Sequence, residues 1–415
     1  MVRIPVIHCG SGCTDNKMRE VSSVDVMCTQ EQLQRALSQT ARAVATKTAL
    51  PSLSNVLIRP EDGRLRIAAT NLELGITTWI DADVRDYGDV GNDQLPVGLS
   101  VDARLLGEFV ATLPAGNVRL KRAQNRYNLD VSCGEGKHAI KAVINGGDPE
   151  DFPAMHADDE GFAATVDAQA LREMVSQVEF AAATDESRPV LAGVLARFDG
   201  GQLTLAAADG FRLAVRSGEL EQPAADKVDV IVPARAIREL ARIVGDAEGA
   251  VRLIVSPNRN LLRVRVKDTE FVSRLIDGNF PDYRAIVPKD FQTMVTVGRE
   301  ALLSAVRRAG YFARDNNDVV RISVAEGERE DTMGSLEVSA NAAERGSNQS
   351  LIDAVVQGPE TQIAFNARYL TDVLGVLRSP SVVLGLNGGN QAGVLRSSDA
   401  LPYDHVIMPM VIGAG

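Results

Sequence analysis

Asp185 and Glu186 stand side by side ahead of Arg188. Paired carboxylates can do general acid–base work, but adjacent residues rarely serve one substrate in both roles, and a turn or loop accounts for them better. The histidines are His8, His138, His156 and His405. None has metal-ligand spacing beyond a loose His8-Cys9…Cys13 group, which lacks the four ligands of a structural zinc site. There is no Walker phosphate loop, no G-x-S-x-G and no G-x-G-x-x-G after a strand. No catalytic group, metal or cofactor is therefore expected.

The basic residues are better organised. Arg235, Arg238 and Arg242 recur at i, i+3 and i+7. Arg307, Arg308, Tyr311 and Arg314 form a similar set, and Arg35 and Arg42 lie on a third candidate helix. Each stripe fits a solvated face neutralised by nearby Glu. Their recurrence also fits a shared electropositive surface, which would hold phosphates without reading sequence. Near the C-terminus, Met408-Pro409-Met410 reads either as a final edge strand on the core or as the wall of an adaptable apolar pocket.

The chain that must position these groups has 415 residues, 45% of them hydrophobic and 24% charged, with a formal net charge of −11. Length alone points to about three domains. The acidity argues against coating nucleic acid by bulk charge, while leaving room for a local basic surface. Aromatics are scarce at 4%, so Leu, Val, Ile and Ala must build the cores. Cys9, Cys13 and Cys28 crowd one end and Cys133 stands alone, which is no disulfide framework and suits a reducing cytosol. No apolar run approaches the roughly 18 residues of a membrane span, and the first residues lack a secretory apolar stretch. A cytoplasmic protein is expected.

One phrase occurs three times. "DARLLGEFV" (102–110), "PARAIRELA" (233–241) and "NARYLTDVL" (366–374) share a helix-start residue, Ala-Arg and one apolar beat. Leu106, Phe109, Val110 and Leu113 fall on one helical face, as do Ile237, Leu240, Ala241 and Val244, and Leu370, Val373, Leu374 and Leu377. The copies are 131 and 133 residues apart. Asp102 and Asn366 suit helix N-caps, and Pro233 suits a helix start. Second stripes precede them at Leu33, Leu37, Thr40 and Val44, at Leu171, Met174, Val175 and Val178, and at Leu302, Leu303, Val306 and Ala309. Hairpins follow the same spacing: 55–76 turning at Glu61-Asp62-Gly63, 193–215 turning at Asp199-Gly200-Gly201, and 319–341 with a longer polar turn. The pattern predicts three copies of one α+β unit. Residues 1–22 form a loose leader, with Met18 and Met27 both open as natural starts. The units span 23–150, 151–289 and 290–415. Similar units joined head to tail can curve and close a ring with a partner, or can merely enlarge a structural protein.

Several words carry a family resemblance. "TDESRPVLAGV" (184–194), "AADGFRLAV" (207–215), "IDGNFPDYRAIVP" (276–288), "FNARYL" (365–370) and "YDHVIMPM" (403–410) closely resemble the bacterial beta sliding clamps, the processivity subunits of DNA polymerase III. The resemblance implies three tandem DNA-clamp domains and a head-to-tail homodimer ring with helices inside and antiparallel sheets outside. Duplex DNA would pass through without base-specific contact. The replicative polymerase, the clamp loader and repair proteins would dock short hydrophobic peptides. No enzymatic activity and no membrane association are implied.

Carried over by matching words, the peptide pocket comprises Leu191, Ala208, Gly210, Phe211, Arg212, Leu213, Pro281, Ala285, Ile286, Val406, Ile407, Met408, Pro409 and Met410. Ala208 replaces a frequent Thr, Ala285 stands where a larger side chain is common, and the tail continues as "VIGAG". These departures bear on peptide preference. Lys47 matches a basic DNA-facing loop position, whereas Pro189 and Val190 stand where some clamps use aromatics. Arg42, Arg235, Arg238, Arg307 and Arg308 are DNA-contact candidates from the stripes. Two other readings stand beside the clamp: a scaffold of the same fold that does not encircle DNA, and an enzyme using Asp185, Glu186 or Asp209.

Overall fold

The helices form where apolar spacing and a capping side chain coincide. In the computed structural model, which describes residues 22–46, 48–86, 97–123, 126–153, 155, 160–185, 187–245, 247–326, 333–342 and 346–410, there are six α-helices among the described residues. They are α1 (Gln30–Thr40), α2 (Ala103–Ala111), α3 (Ala168–Val178), α4 (Ala234–Val244), α5 (Arg299–Ala313) and α6 (Ala367–Val376). The leader with His8, Cys9 and Cys13, and also Lys47, His156, Glu186 and the tail 411–415, lie outside the described residues.

Thr29 and Gln32 form a reciprocal capping box on α1, satisfying two backbone N–H groups that the helix leaves unpaired. The Asp102 carboxylate accepts from Leu105 N at 2.7 Å, Asp167 accepts from Ala170 N at 2.8 Å, and Asn366 accepts from Arg368 N at 2.9 Å. Each such cap contributes about 1 kcal/mol. Pro233 occupies the N-cap position of α4 without a side-chain bond.

The stripes point inward. Leu106, Val110 and Leu113, Leu171, Met174, Val175 and Val178, and Leu370, Val373, Leu374 and Leu377 are all buried. Two details differ from the spacing. Helix α1 ends at Thr40 and a 3-10 turn covers Ala41–Ala43, so Ala43 is buried in place of the expected Val44. Arg42 therefore sits on that turn and not on the α-helix.

The chain divides into two compact units: residues up to Ala69 with Thr78–Pro153, and Thr70–Thr77 with Ala154–Gly415. In the first, α1 packs with α2. Strands Asn55–Glu61 and Arg64–Thr70 form the expected hairpin, with Asp62 (φ 49°) and Gly63 (φ 75°) supplying the two left-handed residues of a tight turn. Strand Ile140–Gly147 pairs over 140–145 with Asn128–Cys133, and among the described residues its other edge pairs only at Gly146 and Gly147, with Leu99–Asp102.

In the second unit α3 packs with α4 and α5 with α6. Twelve strands run in one continuous antiparallel order: 228–233, 193–199, 202–208, 212–219, 403–407, 393–397, 381–386, 293–298, 346–357, 334–342, 319–325 and 361–366. The sheet crosses from the middle repeat to the last where Arg212–Glu219 meets Tyr403–Ile407, with Leu213 opposite Val406. Strand Gly346–Gln357 pairs with Gly334–Ala342 on one side, and on the other, among the described residues, only its last four residues pair, with Thr293–Gly298.

Candidate functional site

The site grows from that crossover. Leu195, Ala206, Leu213, Val215, Tyr283, Val394 and Val406 form one buried cluster, with Ala208, Phe280, Val287 and Phe291 packed against it. Most are β-branched, aliphatic or aromatic residues alternating on strands, so one face of the sheet becomes a dry floor. Of the expected pocket residues, Leu213 and Val406 belong to this floor, and Ile407, the next residue on its strand, is buried outside that cluster.

Above the floor lies an apolar rim. Phe211 is 58% exposed, Ile286 46% and Met408 45%. Exposure of three large apolar side chains close to one core is the unusual observation, because single exposed apolar residues are ordinary. The strand ends at Ile407, so Met408-Pro409-Met410 is not a further strand residue by residue. Met408 N donates to Phe211 O at 2.8 Å, and Met410 N donates to Ala364 O at 2.8 Å. The segment is thereby held between the middle and last repeats with the Met408 side chain outward.

The turn before Arg212 is built by Asp209. Its Oδ1 accepts from Phe211 N at 2.8 Å and Arg212 N at 2.9 Å, while Gly210 takes φ 96°, a conformation glycine adopts without strain. A Cβ on Gly210 would approach Arg188 Nη1 to 3.1 Å. Arg188 O accepts from Leu191 N, and Leu191 O accepts from Ala183 N, which brings Leu191 to the same corner. Pro281 and Ala285 are exposed on the stretch that carries Tyr283 into the core.

Arg212 differs from the expectation of a simple pocket residue. Its side chain is only 11% exposed and turns inward. Nε donates to Asp209 Oδ2 at 3.0 Å, one terminal nitrogen donates to Asp372 Oδ2 at 2.6 Å and the other to Phe180 O at 2.6 Å. The guanidinium lies 4.4 Å from the Tyr369 ring centroid and 5.3 Å from that of Phe180. Arg212 thus ties α6 of the last repeat to the middle repeat. Burial, with the Asp209 carboxylate nearby, pushes the Tyr369 phenol up. Behind the strand, His405 is fully buried between Phe180 and Tyr403, and burial pushes its imidazole down to about 3. Tyr403 donates to Gln177 O at 3.1 Å.

Phe180, Tyr369 and Asp372 were not legible as site residues. One signal was present: where the thrice-written phrase has Leu105 and Ala236, its third copy has Tyr369.

The basic candidates divide. Arg238 Nε bonds Glu179 Oε2 at 2.9 Å, and Arg242 bonds Glu239 at 2.6 Å, so the neutralised face applies to both. Arg235 and Arg307 are exposed and have no carboxylate partner among the described residues, and Arg308 is exposed beside Ser350 Oγ at 3.4 Å. Arg42 is exposed on its turn. Asp185 accepts from Ser187 N and Oγ, the turn geometry anticipated for it. Among the described residues no group of three His, Cys, Asp or Glu is placed to hold a metal.

Comparison with known proteins fits this architecture. The chain is similar to a solved DNA polymerase sliding clamp from Bacillus subtilis, at 25% identity and a TM-score of 0.85 over 94% of this chain and all of that one. A Pseudomonas aeruginosa DnaN sliding clamp bound to griselimycin matches at 26% identity and a TM-score of 0.83, again over 94% and 100%. Among curated relatives, the B. subtilis beta sliding clamp is 27% identical over 92% of this chain and 97% of its own length, and the P. aeruginosa one 28% over 92% and 98%. The fold and the crossover site therefore define a sliding clamp.

The family models are more specific. Those for the N-terminal, central and C-terminal domains of the DNA polymerase III beta subunit match residues 24–156, 165–282 and 284–411 in turn. The chain belongs to the DNA polymerase III beta subunit family.

Proposed function

We infer that the protein is a DNA sliding clamp that closes as a head-to-tail homodimer around duplex DNA and tethers the replicative polymerase to it. A tether makes each rebinding event intramolecular, at high effective concentration, and so confers processivity without catalysis. Clamp domains at 23–150, 151–289 and 290–415 follow from the repeat.

One observation carries the ring. Within the second unit, the strand after the hairpin of the middle repeat (212–219) pairs with the final strand of the last repeat (403–407). The corresponding strand of the last repeat is 346–357, and its second edge is open over 346–353 among the described residues. The corresponding final strand of the first repeat is 140–147, open over 140–145 among the described residues. The two open edges carry Leu351 (70% exposed) and Val143 (64% exposed), and Asp353 and Lys141 bring opposite charges. Open edges attract pairing, and repeating the internal junction between two copies closes both.

The apolar rim of Leu191, Ala208, Gly210, Phe211, Pro281, Ala285, Ile286, Met408, Pro409 and Met410 supports docking of short hydrophobic peptides of the polymerase, the clamp loader and repair proteins. Arg212, Leu213, Val406 and Ile407 support it from beneath. DNA contact is assigned to Arg42, Arg235, Arg307 and Arg308, with Lys47 on sequence grounds. Arg238 contributes least, because Glu179 already holds it. The protein acts in the cytoplasm with the replication machinery. No helix among the described residues is long and apolar enough to cross a membrane.

The test is retention on DNA. After loading, the protein should remain on a nicked circle through gel filtration and leave once the circle is linearised. Equal retention on both forms would sink the ring reading, and a monomer retained on neither would leave a scaffold of the same fold.

A further inference from the structure

Helices α5 and α6 enclose an open groove of about 760 Å³, lined by Arg307, Tyr311 and Arg314 on one side and Arg368, Thr371 and Asp372 on the other. That volume lies within the roughly 300–1,000 Å³ usual for ligand clefts. Arg307, Tyr311 and Arg314 stand at i, i+4 and i+7, so they share one helical face. The acids of the groove are already occupied: Asp318 pairs with Arg368 at 2.7 Å and Asp372 with Arg212 at 2.6 Å. Neither Arg307 nor Arg314 has a carboxylate partner among the described residues. Tyr311 is 63% exposed, and the Arg314 guanidinium lies 5.5 Å from its ring centroid.

An exposed aromatic ring between two unneutralised guanidiniums matches the chemistry of single-stranded nucleic acid. Such strands stack their bases on aromatic faces while cationic side chains follow the phosphates. A duplex offers phosphates but keeps its base faces stacked within the helix. We propose that the α5–α6 groove holds an unpaired nucleotide strand, with one base on Tyr311 and its phosphates on Arg307 and Arg314. This rests on the reading of the protein as a DNA clamp. It adds a contact that would distinguish a single-stranded stretch from the duplex passing through the ring.

The test uses the full chain, a labelled dodecamer of thymidylate and a duplex of the same length, followed by fluorescence anisotropy at low salt. Tyr311→Ala should weaken single-strand binding about tenfold, the effect of losing one stacked base. It should leave duplex binding and retention on nicked circles unchanged. Tyr311→Trp should restore binding, and its added fluorescence should be quenched by the oligonucleotide. Arg307→Ala and Arg314→Ala should each weaken binding and flatten its salt dependence. The proposal is overturned if Tyr311→Ala leaves single-strand affinity unchanged, or lowers single-strand and duplex affinity equally. It is also overturned if Tyr311→Ala converts a dimer to monomers in light scattering, because the ring would then belong to a subunit contact. Loss of retention on circles by the wild-type protein would count against the clamp reading alone, since oligonucleotide binding is read separately.

Discussion

Replacing Arg212 by Ala tests how the proposed peptide site is held together. The side chain makes three charge-assisted hydrogen bonds and packs against the Tyr369 ring. Removing one partner of a buried ion pair costs about 3–5 kcal/mol when the other charge is stranded. Neither carboxylate is stranded here. Asp209 keeps its two backbone N–H donors, and Asp372, at 41% exposure, regains water. The main losses are the donor to Phe180 O, about 1–3 kcal/mol for a carbonyl left unpaired, and the ring contact, about 0.5–2 kcal/mol. The expected total is about 3 kcal/mol. At roughly 2–4 °C per kcal/mol for a unit of this size, the melting transition should fall by about 6–12 °C. Arg212→Lys should recover less than half of that, because an ammonium cannot reach all three acceptors as a planar fork does. A double-mutant cycle with Asp372→Asn should show coupling of about 1 kcal/mol. A shift under about 2 °C for Arg212→Ala, or zero coupling with position 372, would refute the idea that Arg212 locks the middle repeat to the last.

Met408→Ala combined with Met410→Ala should weaken binding of a polymerase tail peptide, measured by calorimetry, while light scattering still shows a dimer. Val143→Asp or Leu351→Asp should give monomers at micromolar concentration in light scattering, because each places a charge on an edge argued to pair between copies. His405 should make stability fall in acid. Its pKa is about 3 when folded and about 6.5 when unfolded, so its contribution is complete above about pH 6.5 and declines by about 1.4 kcal/mol per unit as pH drops from there toward 3. In urea titrations, His405→Phe should flatten that part of the pH dependence.

Much of the local structure was legible because it depends on neighbours in sequence. The buried stripes of α3 and α5, the caps at Asp102 and Asn366 and the turn at Asp62-Gly63 all follow from short-range rules. What escaped depends on distant partners. The spacing leaves Arg238 open to a neutralised or a free basic face, and Glu179, 59 residues away, decides for the first. Arg212 looked like a pocket residue, but Asp372, 160 residues on, draws it inward. The repeat did hold half of this second answer. Glu108, Glu239 and Asp372 occupy equivalent helical positions, and each accepts from an arginine: Arg104, Arg242 and Arg212 respectively. The first two partners are local. The third comes from a different repeat, and no periodicity within the sequence announces that exchange.

The pairing of Arg212–Glu219 with Tyr403–Ile407 also sets an order of events during synthesis. Chains are made at about 5–20 residues per second, and domains fold as they emerge. The middle repeat can gather its helices and hairpin early, but the strand beginning at Arg212 must wait for nearly two hundred further residues before its outer edge is covered. Until then that edge is exposed and prone to mispairing. The rim contributed by Met408–Met410 forms last of all, so a nascent chain lacks the complete rim proposed for docking. On the proposed docking function, partners would recognise only a chain whose last repeat has already closed onto the one before it.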